Sequence, residues 1–561
     1  MATGAGLFTA ALESYGVTHV FGNPGTTELP IMDALSESDL SYVLGLHEDV
    51  AVGMAAGYAK ARSYDAHADP TINPAGVVNL HIAPGLAHGL GNVFDASFTR
   101  APLVVTAGNH PLDHQHHEPN LGGGLARMAR PHVKWSAEVT DVDALPTMVR
   151  RAFRVALSPP TGPAFLALPL DIMMAETDDE PERLGEIPLA GPGDPRALDR
   201  VAEALAAAEE PVLVVGDGVA QAGPDAVTAA VDVAEALGAA VHGEFKMSEV
   251  CFPQGHPQWV GRLPRDQTTA RDYLDGDVVC FCGISSNTPT NPVTVDFVPA
   301  DATLVHVATA PYEIGKNEPA DIAVMADPGH ALRGLAERLV GAVPEGTVEE
   351  RQAVAAELRE TARAGSEATR TAAGPDDGRA TNATLAAALH EVAPDAVLVA
   401  EAPTSVGAFR SRFAFDHGQF FQNRGGGLGY GLPASVGMAV AEAEADRPAR
   451  DIVALVGDGS YLYYPQSLYS AARYDLDLTV LVPDNRNYRI LKDNTLRILG
   501  GEEADYDFVG MDFDPAVDIP ASAEANGATG YFVGDREDVV GTLETAISES
   551  GPAVVDVLTR D

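Results

Sequence analysis

Two segments toward the C-terminus, Gly457-Asp458-Gly459-Ser460 and Asp484-Asn485-Arg486-Asn487, constrain this chain more than any other feature. The first ends an apolar run, Asp451-Ile452-Val453-Ala454-Leu455-Val456, that predicts a buried strand of a parallel sheet. Glycines on both sides of a carboxylate at a strand's C-terminal end let backbone approach a ligand while the aspartate faces a cation. A second apolar run, Leu478-Thr479-Val480-Leu481-Val482, delivers Asn485 to the end of a neighbouring strand. Asp458, the Asn485 side-chain oxygen and one nearby backbone carbonyl form a set of hard oxygen donors. That set suits Mg²⁺, which completes its octahedron with phosphate oxygens and water. A metal-held diphosphate is the reading of this region.

The spacing and the residues between resemble the cofactor motif of thiamine diphosphate (ThDP) enzymes, in which Gly-Asp-Gly, a helix and a strand precede an asparagine pair. Asp484-Asn485 stands where that family usually has Asn-Asn, and only the second member is the expected ligand. By this resemblance the metal ligands are Asp458, Asn485 and the backbone carbonyl of Asn487. Gly216-Asp217-Gly218 follows another apolar run, but no asparagine pair lies at a similar distance beyond it. That copy is read as a structural strand-end turn, since only the paired motif is specific.

With 561 residues the chain exceeds one ordinary core, and several domains are expected. It carries 80 acidic against 36 basic residues, a formal charge of −44, yet 46% of its residues are hydrophobic. An ordered core under a strongly acidic surface fits a protein of a salt-rich cytoplasm, where counter-ions screen self-repulsion. The acidity is spread along the chain, which ranks a single basic docking partner lower, and nucleic acid is excluded as a partner. Cys280 and Cys282 sit in the apolar run Asp277-Val278-Val279-Cys280-Phe281-Cys282 and read as buried strand residues. No signal-like segment opens the sequence and no stretch is long enough to span a membrane. A cytoplasmic protein is expected.

Short apolar strands alternate with helical segments almost throughout, which predicts an α/β protein of three doubly wound parallel-sheet domains. The expected boundaries are 1–178, 190–340 and 379–561, with 341–378 as an exposed linker helix with loose ends. Three such units, with the diphosphate motif in the last, resemble the ThDP-dependent decarboxylase and acetolactate synthase superfamily over essentially the whole chain. The resemblance makes them pyrimidine-binding, central and diphosphate-binding domains.

It also implies roles for individual residues. Glu48, in Leu46-His47-Glu48-Asp49, matches the glutamate that hydrogen-bonds the aminopyrimidine and drives ylide formation. Read without the family, an acidic residue there is simply favoured in a first helical turn. The loop Phe21-Gly22-Asn23-Pro24-Gly25-Thr26-Thr27-Glu28-Leu29-Pro30 resembles that of the benzoylformate decarboxylases, with Thr26 in place of a substrate-contacting serine. As a plain turn, it would use Thr26 or Thr27 as an N-cap. His81, after Val77-Val78-Asn79-Leu80, matches an active-site histidine of the same type, suited to proton transfer; the bland alternative is a hydrogen-bonded strand-end residue. In the third domain Gly426 and Leu428 match the segment that holds and bends the cofactor. Thr404, Ser405, Gly457, Gly459 and Ser460 match its diphosphate contacts, and Ile490 and Asn494 fall where the family builds its substrate pocket.

Two features depart from that pattern. No histidine occurs between Gly283 and Val305, where a second catalytic histidine is expected, and Asn494 replaces an aromatic residue. His110, His114, His116 and His117 cluster in one segment but fit no familiar zinc spacing; they read as a loop beside the active site. The sequence thus points to a ThDP- and Mg²⁺-dependent lyase that decarboxylates a small 2-oxo acid. An acetolactate synthase-like carboligase is the alternative, for which FAD in the central domain is conceivable though not favoured; a non-catalytic relative acting as a binding partner ranks below both. The resemblance further implies a homodimer or homotetramer with sites between subunits.

Overall fold

A computed structural model describes residues 2–285, 295–371 and 377–560. Its three six-stranded sheets give the expected α/β architecture. Two compact units contain them: Met1–Ile187 with Pro375–Phe413 and Gln422–Asp561, and Pro188–Gly374 with Ala414–Phe421.

The first sheet comprises β1 (His19–Gly22), β2 (Ser41–Leu44), β3 (Gly76–Leu80), β4 (Leu103–Asn109), β5 (Trp135–Glu138) and β6 (Ala164–Pro169). Its order is β2-β1-β3-β4-β6-β5, with every pairing parallel. β3, β4 and β6 are buried throughout, as their unbroken apolar runs require. The chain reverses direction across the sheet between β1 and β3, which opens a crevice at their C-terminal ends. Helix α1 (Glu48–Ala68) follows β2 and α2 (Ile82–Thr99) follows β3. The His47 side chain caps α1 by accepting from the Asp49 N–H at 3.1 Å, and Glu48 and Asp49 place negative charge in its first turn.

The second sheet comprises β7 (Pro211–Val215), β8 (Ala240–Gly243), β9 (Trp259–Arg262), β10 (Val278–Cys282), β11 (Thr303–Ala308) and β12 (Ile322–Met325). Its all-parallel order, β9-β8-β7-β10-β11-β12, is that of a doubly wound nucleotide-binding sheet. Cys280 and Cys282 are buried in β10 as expected. After β7, Asp217 accepts from the Ser248 hydroxyl at 2.6 Å and from the Ser248 and Glu249 N–H groups at 2.7 and 3.1 Å. This Gly-Asp-Gly copy therefore ties down a loop. The segment expected as an exposed linker is different in part: helix α3 (Glu345–Thr371) belongs to the second unit. Its Arg351 is 9% exposed and donates to the carbonyls of Leu237 and Ala208. Those interior carbonyls give the arginine partners that composition alone could not reveal.

The third sheet comprises β13 (Val397–Glu401), β14 (Phe420–Gln422), β15 (Ile452–Val456), β16 (Leu478–Asp484), β17 (Thr529–Val533) and β18 (Pro552–Leu558), in the order β14-β13-β15-β16-β18-β17. Its switch point lies between β13 and β15. Helix α4 (Gly431–Glu444) packs along α1, and α5 (Arg489–Leu499) follows the Asp484–Asn487 turn. Glycines bring the α1 and α4 backbones into contact: a Cβ on Gly57 would lie 1.9 Å from the Ala434 carbonyl oxygen, and one on Gly437 1.8 Å from that of Met54. This seam joins the first and third sheets. Among the described residues, no helix is long and apolar enough to cross a membrane.

Candidate active site

The residues singled out in the first domain all emerge from the C-terminal ends of β1, β2 and β3. Thr26 lies in the turn after β1, Glu48 starts α1 and His81 immediately precedes α2. Glu28, fully buried, organises the group. Its Oε2 lies 2.8 Å from His81 Nδ1 and accepts from the Gly25 N–H at 3.1 Å. Its Oε1 accepts from the Thr27 hydroxyl at 2.7 Å and from the N–H groups of Gly108 and Ile82 at 2.9 and 3.4 Å. Five donors around one carboxylate compensate its burial. They also fix the His81 ring with Nδ1–H on Glu28, leaving Nε2 for chemistry.

Local backbone makes room for this arrangement. A Cβ on Gly25 would fall 2.0 Å from His81 Nδ1, so only glycine fits there. Ile82 has φ +35°, a conformation that a β-branched residue adopts only when its surroundings enforce it. The strain sits next to His81, where the chain passes from strand to helix.

Glu48 is 8% exposed. Its Oε1 accepts from Asn23 Nδ2 at 3.4 Å, and its Oε2 lies 3.1 Å from His88 Nδ1. A Cβ on Gly85 would come within 3.0 Å of Oε1, so this glycine leaves the carboxylate its space. The His47 and His88 rings stack with centroids 5.1 Å apart, and burial lowers the His47 pKa.

In the third domain Thr404 and Ser405 follow β13, Gly457-Asp458-Gly459-Ser460 follows β15, and Asn485 follows β16. The Asn487 N–H lies 3.2 Å from both Asp458 Oδ2 and Asn485 Oδ1, so those two oxygens converge on one place. Burial, then the neighbouring Asp484 carboxylate, pushes the Asp458 pKa up to about 7. Asp556 is pushed up to about 8 by burial and by the charges of Asp484 and Asp458. A divalent cation between Asp458 and Asn485 would offset this repulsion, so the donor set fits Mg²⁺. Arg486, at φ +59°, bends the turn while its guanidinium faces Asp484 at 3.7 Å.

Gly426, at φ +89°, is exposed, and Leu428 is half-buried. The loop holding them is fixed by Glu401, which accepts from the N–H groups of Gly429, at 2.6 Å, and Gly431. Burial raises Glu401 to about 7. Asp49 and Asn92 reach the same region from the first domain: the Tyr464 hydroxyl donates to Asp49 at 2.9 Å, and Asn92 donates to the Gly429 carbonyl at 3.2 Å. Ile490 and Asn494 lie half-buried on α5, where Arg497 donates to Asn494 at 2.9 Å.

The histidine-rich segment borders a cavity of about 420 Å³ lined by Asn109, His110, Gln115, Glu118, Pro119 and Gly122–Gly124. His110 and His114 meet edge to face, His114 and His117 at a tilt, and His110 Nε2 lies 2.8 Å from the Asn120 carbonyl oxygen. The expected second-histidine loop at 283–288 falls partly outside the described residues. Sequence reasoning missed Glu28, Asn23, His88 and Glu401. Glu28 lies within the Phe21–Pro30 loop singled out above, yet an acid two residues past Thr26 reads as an exposed helix-start residue until its burial is known.

Comparison with known proteins shows the family. The N-terminal TPP-binding, central and C-terminal TPP-binding domain models of thiamine pyrophosphate enzymes match residues 2–128, 198–335 and 405–557. A benzoylformate decarboxylase of Pseudomonas aeruginosa is 31% identical over 98% of this chain and 97% of its own length. A probable acetolactate synthase large subunit of Methanocaldococcus jannaschii is 25% identical over 99% of this chain and 91% of its own. The structure of a ThDP-dependent 4-hydroxybenzoylformate decarboxylase from Rhodococcus jostii RHA1 superposes with a TM-score of 0.85 at 28% identity, covering 100% of this chain and 99% of that one. The chain belongs to the thiamine pyrophosphate enzymes, and is a ThDP-dependent enzyme with the family's N-terminal, central and C-terminal domains.

Proposed function

We propose that this enzyme removes CO₂ from a small 2-oxo acid, using ThDP held by Mg²⁺. The observation that carries the reading is His81, presented at a strand end by the buried Glu28 carboxylate in the same domain as Glu48. Bound ThDP supplies the nucleophilic carbon and the electron sink that decarboxylation of a 2-oxo acid requires. Glu48 holds the aminopyrimidine by a hydrogen bond to its carboxylate. His81 Nε2 donates or takes a proton at the reacting carbon while Nδ1–H stays on Glu28. Thr26 contributes a hydroxyl toward the substrate carboxylate, and Ile490 and Asn494 border its side chain.

Asp458, Asn485 and the Asn487 carbonyl hold the metal. Gly457, Gly459, Ser460, Thr404 and Ser405 receive the diphosphate, and Gly426 and Leu428 the pyrimidine. A second copy of the chain completes each site; Ile498, Leu499 and Val509, 68–89% exposed, offer apolar surface near α5 for such a neighbour. The acidic composition suits a salt-rich cytoplasm.

A carboligase of the acetolactate synthase type is the second reading. The lack of any histidine between Gly283 and Val305 favours it, because one proton relay is then missing. The test is CO₂ release with ThDP and Mg²⁺ in high KCl from benzoylformate, pyruvate and branched 2-oxo acids, comparing the parent with Glu48→Gln. CO₂ lost in the variant, with ThDP still bound, supports the proposal; equal release by both proteins overturns the role of Glu48.

A further inference from the structure

Glu48 is flanked by two imidazoles that the proposed reaction does not use. One ligand atom from each of His47, Glu48 and His88 lies within 4.8 Å of the other two, the one such grouping among the described residues. The set comes from two elements, the N-terminus of α1 and the first half of α2. Two imidazoles and a carboxylate suit a borderline ion such as Zn²⁺ or Co²⁺, whereas Mg²⁺ prefers oxygen alone.

We propose that His47, Glu48 and His88 form a second metal site, for a borderline divalent ion, whose occupation withdraws Glu48 from the aminopyrimidine. The inhibitory half rests on the function proposed above; the binding half does not.

The geometry requires only local closure. Bonds of about 2.0–2.2 Å in a tetrahedron place ligand atoms roughly 3.2–3.6 Å apart, so closure from the 4.8 Å limit within which these atoms lie is at most about 1.2–1.6 Å. His88 supplies that movement, since its side chain is 56% exposed. Its Nδ1 already lies 3.1 Å from Glu48 Oε2, and with the ring proton on Nε2 the Nδ1 lone pair faces the ion that the carboxylate also binds. His47 yields its helix-capping bond to the Asp49 N–H, at a cost of about 1 kcal/mol. The Asp49 carboxylate nearby adds negative charge that favours a bound cation. Water from the exposed His88 side fills the remaining coordination positions. Once a cation shares the Glu48 charge, the carboxylate is a weaker hydrogen-bond acceptor, which opposes its proposed work.

Cobalt titration of the full-length apoprotein, with Mg²⁺ in excess, tests the binding half without any substrate. Visible ligand-field bands that saturate at one Co²⁺ per chain are expected. His88→Gln should weaken binding by at least about 10–100-fold, His47→Gln/His88→Gln should abolish the bands, and His81→Gln should keep them. Absence of bands, or bands unchanged in the double variant, overturns the site; circular dichroism confirms that each variant is folded. In the holoenzyme, Zn²⁺ should inhibit CO₂ release by the parent, reversibly with chelator, and inhibit the double variant far less relative to its own rate. Equal fractional inhibition of both overturns the inhibitory half. A protein that binds Co²⁺ through these residues yet releases no CO₂ from any 2-oxo acid upholds the site and refutes the proposed function alone.

Discussion

Replacing Glu28 with glutamine keeps its volume but inverts the hydrogen-bond requirements around it. The Oε1 position faces two fixed backbone donors, the N–H groups of Gly108 and Ile82, and the Thr27 hydroxyl. The new amide nitrogen therefore settles at the Oε2 position, against the Gly25 N–H and His81 Nδ1. There it donates to Nδ1, which must accept, so the His81 proton moves to Nε2. Loss of the charge and of the Gly25 bond costs about 1.5–3 kcal/mol of stability. The wrong tautomer removes a general acid–base contribution of about 10²–10⁴ in kcat. The assay is CO₂ release by Glu28→Gln, His81→Gln and the double variant, with ThDP binding measured in parallel. If Glu28 acts through His81, the double variant is no slower than His81→Gln. A Glu28→Gln rate within a factor of about two of the parent, or fully multiplicative losses, refutes the reasoning.

Other parts of the molecule give further expectations. Glu442 is 4% exposed; burial works against its charge, but Arg447 and Arg450, both within 2.5 Å, hold its pKa down to about 2 from an ordinary 4.5. A depressed carboxylate pKa stabilises the fold above about pH 4.5, and that contribution fades as pH falls through 2. Discounted for the partly exposed guanidiniums, Glu442→Gln should cost on the order of 2 kcal/mol at neutral pH and flatten the acid limb of a stability–pH curve; an unchanged curve contradicts this. Gly437→Ala gains helix propensity yet forces a Cβ to 1.8 Å from the Met54 carbonyl oxygen, so the urea midpoint should fall, by about 1–3 kcal/mol or more in stability. A rise would mean that α1 and α4 separate freely. With a formal charge of −44, the thermal midpoint should climb as KCl shortens the screening length from about 10 Å at 0.1 M to about 3 Å at 1 M; a falling midpoint refutes the reading of the acidic surface.

The fold was legible because parallel strands buried on both faces write themselves as short apolar runs. Ile452–Val456 and Leu478–Asp484 appear where the sequence puts them, with Asp458 and Asn485 just past their ends. What stayed hidden depends on burial and long-range partners. Nothing local distinguishes Glu28, whose acceptors' donors come from as far as Gly108, from a solvated acid in a first helical turn. Arg351 likewise reads as the polar face of a linker helix until the carbonyls of Leu237 and Ala208 are brought to it. His88 looked incidental because its neighbour Glu48 lies forty residues earlier, on another helix. Ile82 shows the same limit in the backbone, since no propensity scale places a β-branched residue at positive φ.

The most direct test of the account is the product balance from a single 2-oxo acid, starting with benzoylformate, turned over by the ThDP- and Mg²⁺-loaded enzyme in high KCl. The account predicts one aldehyde for each CO₂ released. CO₂ accompanied by an acetohydroxy acid or hydroxyketone in place of aldehyde would contradict it, as would no turnover of any 2-oxo acid by protein that has bound ThDP.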